Sequence, residues 1–158
     1  MFIDALSILE FWQQHQWILV TISCVWAVLV MAGLWKMFTK AGEAGWKALI
    51  PVYNFYILMK ICWTPNMFWA LLGCNIGVSL CYWLALNMGS FWFYIAIVLA
   101  ILVAIIRAVF YYNLSLAYGH GLGYFFGLYL LEPLFMIIIG FGSSRYAGNR
   151  YLGAGSMY

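Results

Sequence analysis

The chain has 158 residues, of which 68% are hydrophobic and 7% charged. A soluble domain carries about 25% charged residues, so seven basic and four acidic side chains cannot clothe a water-facing surface of this size, which excludes a soluble enzyme and a disordered chain. The net charge of +3, spread over Lys36, Lys40, Lys47, Lys60, Arg107, Arg145 and Arg150, forms no basic stripe and excludes a nucleic-acid binder.

The first sixteen residues carry Asp4 and Glu10 but no Lys or Arg, the wrong charge for the start of a signal peptide. On a helix Phe2, Ala5, Leu6, Leu9 and Trp12 share a face, with Asp4, Ser7 and Gln14 opposite. That pattern predicts a short N-terminal interfacial helix, with a plain helical extension of the first span as the alternative. Trp17 to Trp35 is then uncharged over 19 residues, about 28 Å of helix, and Lys36 and Lys40 follow as basic anchors. A first span is expected over 17–38.

The segment 43–62 does not read as a span. Only 12 residues separate Lys47 from Lys60, about 18 Å of helix against a hydrocarbon core of about 30 Å. Pro51 would also interrupt a helix that ran through it. Residues 53–59 are too apolar for water, so a broken re-entrant or interfacial segment is expected, with its corner at Pro51. Between Lys60 and Arg107 lie 46 uncharged residues, about 69 Å if helical, which must turn back. Asn87-Met88-Gly89-Ser90 is the one stretch with turn chemistry, so spans are expected over 66–86 and 91–111. A fourth, 121–141, is interrupted by Glu132-Pro133. Residues 1–147 then form a single membrane domain and 148–158 a Gly-rich tail. The fold class is all-α: an integral membrane bundle of about four transmembrane helices, the N-terminal interfacial helix and the broken segment.

Glu132 falls near the bilayer midplane, where a charge costs at least about 2.5–3.5 kcal/mol unless paired or protonated. It is either an ion- or proton-binding carboxylate or a structural partner of Arg107, the other ionisable residue within a span. Gly73 and Gly77, and Gly123 and Gly127, have the spacing that lets membrane helices approach closely; Asn75, between the first two, could bond across such a contact. Cys24, Cys62, Cys74 and Cys81 have no CxxC spacing and read as buried apolar residues. His15 and His120 have no second ligand nearby in sequence. Neither a metal, a cofactor nor a catalytic constellation is expected.

The positive-inside rule gives five basic residues against two both for four spans and for five spans with 48–62 crossing. Both arrangements put the N-terminus outside and 36–47 in the cytoplasm; they differ in the side of the C-terminus.

The run Lys40-Ala-Gly-Glu-Ala-Gly45-Trp46-Lys-Ala-Leu-Ile-Pro51-Val-Tyr53-Asn54 resembles the signature K-A-G-x-x-G-W-x-A-L-I-P-x-Y-N of a bacterial family of small polytopic membrane proteins of unknown function. Ala117-Tyr-Gly-His-Gly121 and Gly140-Phe-Gly-Ser-Ser-Arg-Tyr146 are similar to that family's short loop and closing motif. A related module is found fused to some signal peptidase I domains. The resemblance implies a membrane architecture and draws attention to Gly45, Trp46, Pro51, Tyr53 and Asn54, but brings no activity. The family usually has Lys in place of His120 and an apolar residue in place of Glu132. The expected function is a non-enzymatic subunit or scaffold of a bacterial inner-membrane complex, with the lipid bilayer, other membrane subunits or further copies of itself as partners. A small homo-oligomeric channel or transporter using Glu132 is the alternative.

Overall fold

The computed structural model describes residues 5–149, which are helical throughout apart from short connections. Helix α1 (Ala5–Lys40) runs unbroken for 36 residues, about 54 Å. The separate N-terminal interfacial helix is therefore not formed; its backbone from Ala5 onward is the start of α1, because no Pro or Gly interrupts the ladder before Gly33. Residues 1–4, and the side chains of residues 5–9, 11 and 12, lie outside the described residues, while Gln14 of the polar face is exposed. At the far end Gly42 takes φ 77°, and the Gly42 and Glu43 N–H groups bond back to the carbonyls of Thr39 and Phe38 at 3.2 and 2.9 Å. This is a glycine stop of the kind that ends many helices.

A 3-10 helix (Gly45–Leu49) follows, then Ile50 in an extended conformation, then α2 (Pro51–Cys62). Pro51 occupies the first helical position, where its missing N–H costs nothing and its fixed φ suits the helix. Lys47 and Lys60 both donate to the Glu43 carboxylate. The two ends of this segment thus sit side by side, and the five-span arrangement, which needs them on opposite faces, is not what the chain adopts.

Helices α3 (Asn66–Met88) and α4 (Phe91–Ala117) form an antiparallel hairpin that turns at Gly89, φ 112°. With α1 they are, among the described residues, the three helices long and apolar enough to cross a membrane, one fewer than the sequence suggested. The difference lies in 121–141. This segment is two short helices, α5 (Leu122–Leu130) and α6 (Glu132–Phe141), hinged at Leu131 with φ −131° and ψ 49°. Nine and ten residues reach only about 14 and 15 Å. They fold back on each other: the rings of Tyr124 and Phe135 meet edge to face at 5.5 Å, although a straight helix would separate them by about 16 Å. The two ends also meet, with His120 Nε2 and Ser144 Oγ hydrogen-bonded at 2.7 Å and the Ala147 N–H donating to the Ala117 carbonyl at 2.7 Å. The segment is a helical hairpin that enters and leaves at one end, with Glu132-Pro133 at its tip. Pro133 lacks the N–H that would continue α5 into α6, which allows the break at Leu131.

In the bundle α3 packs on α4, α4 on α5, α5 on α6 and α6 on α1, while α2 lies against α3, α4 and the 3-10 helix. The largest fully buried side chains, Tyr111, Tyr118, Phe38, Phe110 and Met37, all lie toward the end where α1 finishes and α4 arrives. The hydrophobic core therefore fills one half of the molecule. In the other half α1 has no partner element among the described residues, and every residue from 16 to 29 is exposed.

Candidate functional site

The hairpin tip delivers Glu132 to the middle of α4. Arg107 lies 16 residues after Phe91 and 10 before Ala117, well inside the helix, and its Nη2 approaches Glu132 Oε2 at 3.7 Å. The same nitrogen donates to the Tyr111 hydroxyl at 3.3 Å, one turn along α4. Tyr111 in turn meets Tyr129 of α5 edge to face at 6.0 Å. A groove of about 340 Å³, lined by Ala100, Val103, Ala104, Arg107, Tyr111 and Tyr129, opens beside the pair. The side chains of Arg107 and Glu132 keep 50% and 32% of their surface exposed, so the pair borders this groove rather than lying sealed between helices. The tyrosines were not apparent from sequence, since neither stands out in a chain with twelve of them.

Asn75 does not reach across a helix contact. Its Nδ2 donates to the Leu71 carbonyl at 2.8 Å within α3, the back-bonding that a polar residue adopts in an apolar helix. Asn113 of α4 is the residue sequence reasoning missed here: it is 6% exposed and its Nδ2 has no hydrogen-bond partner.

The glycine pairs divide. A Cβ added at Gly73 or Gly123 would meet open space, and one at Gly77 would make ordinary contact with Leu99 of α4. Gly127 alone of the four is needed for a close approach, since a Cβ there would enter the Phe135 ring. The tightest helix contact uses glycines that no intrahelical motif flags: Gly140 of α6 lies against the backbone of Gly33 in α1. Lys40 then closes α6 from its C-terminal end, its Nζ donating to the carbonyls of Ile139 and Gly142 at 2.7 and 2.8 Å. A cation is favourable there for both the orphan carbonyls and the helix dipole.

The motif around Pro51 forms a compact corner. Gly45 is obligatory because a Cβ would overlap the Trp35 indole. Trp46 stacks on Tyr53 at 6.5 Å and Tyr53 on Tyr56 at 6.0 Å. The Asn54 side chain donates to the Ala48 carbonyl at 3.2 Å, binding α2 to the 3-10 helix across the break. Burial pushes the Glu43 carboxyl up, but the hydrogen bonds from Lys47 and Lys60 outweigh it and hold the group below its ordinary value.

The rest of the same end is tied by residues distant in sequence. The Tyr118 hydroxyl donates to Met37 O at 2.8 Å, Tyr146 to Ile61 O at 2.6 Å, and Asn149 to the carbonyls of Lys60 and Trp63. His120 stacks on Tyr124 at 3.7 Å; burial first, and the nearby Lys40 charge second, push its imidazole below the ordinary value. Among the described residues no three His, Cys, Asp or Glu side chains cluster as a metal site would need. The four cysteines are free, with Cys62 and Cys81 buried, Cys74 partly so and Cys24 exposed on α1.

A family model described as a family of unknown function, DUF5684, matches residues 46–149, from the corner through the hairpin to Asn149. The chain belongs to the DUF5684 family. The DUF5684 match thus covers the corner from Trp46 onward, α2 to α6 and the closing contacts, and leaves out the whole of α1. No curated protein matches the chain, and no solved structure does.

Proposed function

We propose that this DUF5684 protein is a non-enzymatic subunit or scaffold of a bacterial inner-membrane complex, with the far half of α1 as the surface it offers to its partner. The observation that carries the reading is that α1 packs only on α6 and the 3-10 helix, and so is exposed from residue 16 to residue 29. Those positions include Trp17, Ile18, Val20, Ile22 and Val25, an apolar helix wall unmatched by any element among the described residues.

Charge supports an orientation. With both 43–62 and 121–141 entering and leaving at one end, Lys36, Lys40, Lys47, Lys60 and Arg145 gather there, and Arg107 is the one remaining described basic residue. The positive-inside rule then places that end in the cytoplasm and the start of α1 outside, without the five-to-two compromise of either earlier arrangement. The tail through Asn149 belongs to the cytoplasmic side.

The test is native mass spectrometry of the protein released from its own membranes in mild detergent, beside a photo-crosslinker at Ile22. A stoichiometric second polypeptide that also crosslinks at Ile22 supports the reading. A closed ring of this chain alone, conducting ions and losing flux in Glu132→Gln, would replace it with the channel or transporter reading, which draws its support from the open groove beside Arg107 and Glu132.

A further inference from the structure

The groove on α4 poses a separate problem from the bare half of α1. Arg107 carries five N–H donors. Its neighbours are Tyr111 at 3.3 Å and Glu132 at 3.7 Å, the latter beyond hydrogen-bond length, and half of the side chain remains exposed. A guanidinium so placed in the middle of a membrane-length helix has more donors than these two acceptors serve, and lipid tails supply no others. Glu132 has the Tyr111 hydroxyl and the Arg107 guanidinium beside it, and a third of its side chain is still exposed, which leaves acceptor capacity open.

The patch holds one cation and one anion in contact, so it is self-complementary in charge. A two-fold axis along the membrane normal keeps each residue at its own depth and brings the same patch of a second chain opposite. Each guanidinium then faces a second carboxylate, and the four groups alternate in sign with no net charge. Shape agrees: Ala100 and Ala104, exposed and one turn apart on the groove wall, allow two α4 helices to approach closely. Both lie beyond Arg107, on the side away from the α5–α6 hairpin, so the hairpin does not stand in the way.

We propose that a second copy of this chain docks on the α4 groove, with Arg107 of each copy paired to Glu132 of the other. This goes beyond the subunit reading, which rests on α1, and the two can fail separately.

The test is charge exchange between two differently tagged full-length chains expressed together in membranes. Wild-type tags should co-purify. Arg107→Glu alone places four carboxylates at the axis, and Glu132→Arg alone four guanidinium groups, so co-purification should be lost for each. Co-expressing one variant with the other should restore it, because each contact between chains again pairs opposite charges. A purely intrachain pair would show no such rescue. Because either reversal also strains the pair within its own chain, Ala104→Cys is tested in the otherwise unaltered protein. It should crosslink to a band of twice the chain mass, whereas Leu80→Cys, on an exposed face of α3, should add nothing to the wild-type background. The proposal is overturned if wild-type tags do not co-purify, if folded single variants co-purify undiminished, if the mixture fails to rescue, or if Ala104→Cys gives no more dimer than Leu80→Cys.

Discussion

At the scale of single residues, the Arg107–Glu132 contact was legible because the spans contain so few charges that each had one available partner. Its exposure was not, since that depends on where a hairpin tip stops. Glu132→Gln should leave the fold intact, because the amide keeps the shape and can still accept from Arg107. Glu132→Leu should lower stability by about 1–3 kcal/mol, less than the loss of a fully buried partner because Arg107 is half exposed, and adding Arg107→Met should recover it. Thermal unfolding in detergent measures all three. The glycines show the opposite balance. Spacing within one helix pointed to Gly73 and Gly123, which face open space, and passed over Gly33 and Gly140, whose contact joins residues from opposite ends of the sequence. Gly140→Val should cost roughly 1–3 kcal/mol through overpacking, while Gly73→Val should be near neutral to the isolated chain in the same assay. Glu43 sets an acid limit. Its carboxyl is held below the ordinary value of 4.5, so the folded chain binds its proton more weakly than the unfolded chain does. That contribution is complete above pH 4.5 and is lost as pH falls through the lowered folded value. His120, held below 6.5, acts in the same direction one window higher: stability begins to fall as pH drops below 6.5. Melting curves of wild type and Glu43→Gln across pH 7 to 4 should differ in the lower window and keep the His120 slope in the upper one.

At the scale of elements, the corner at Pro51 was readable because length and proline chemistry act locally: twelve residues cannot span, and Pro opens a helix more easily than it sits within one. The last segment misled for the same local reasons. Twenty-one residues with a single charge have the length of a span, and a Pro in the middle of a membrane helix is normally absorbed as a kink. What turns 121–141 back is the set of polar contacts at its base, His120 with Ser144, Ala117 with Ala147 and Lys40 with the α6 carbonyls, and no window of sequence contains both members of any of them. The expected result follows from this geometry. Single cysteines at Gly119 and Ser143 should react with an impermeant maleimide from the same side of the membrane, and one at Leu131 should react slowly or not at all. Labelling of positions 119 and 143 from opposite sides would mean that the segment crosses.

At the scale of the whole molecule, the all-α membrane class was carried by composition alone, because a chain this poor in charge has no other solvent than lipid. The count of spans was not, since it depends on the two segments that return to their starting side. The proposed orientation predicts that Gly89→Cys in the α3–α4 turn labels from outside in intact cells, and Gly42→Cys only after permeabilisation. The reverse pattern would invert the orientation. The contacts at the basic end also impose an order on biosynthesis. Residues 37, 40 and 61 find their partners in residues 118, 139 to 142 and 146, so half of each bond is made early and waits for the other half to emerge. Until residues 144–149 leave the ribosome, the carbonyls of Lys60, Ile61 and Trp63 have no donor from Tyr146 or Asn149. The last stretch of described chain therefore acts as a clasp, and a nascent chain arrested before it should be the form most readily taken by membrane quality-control proteases.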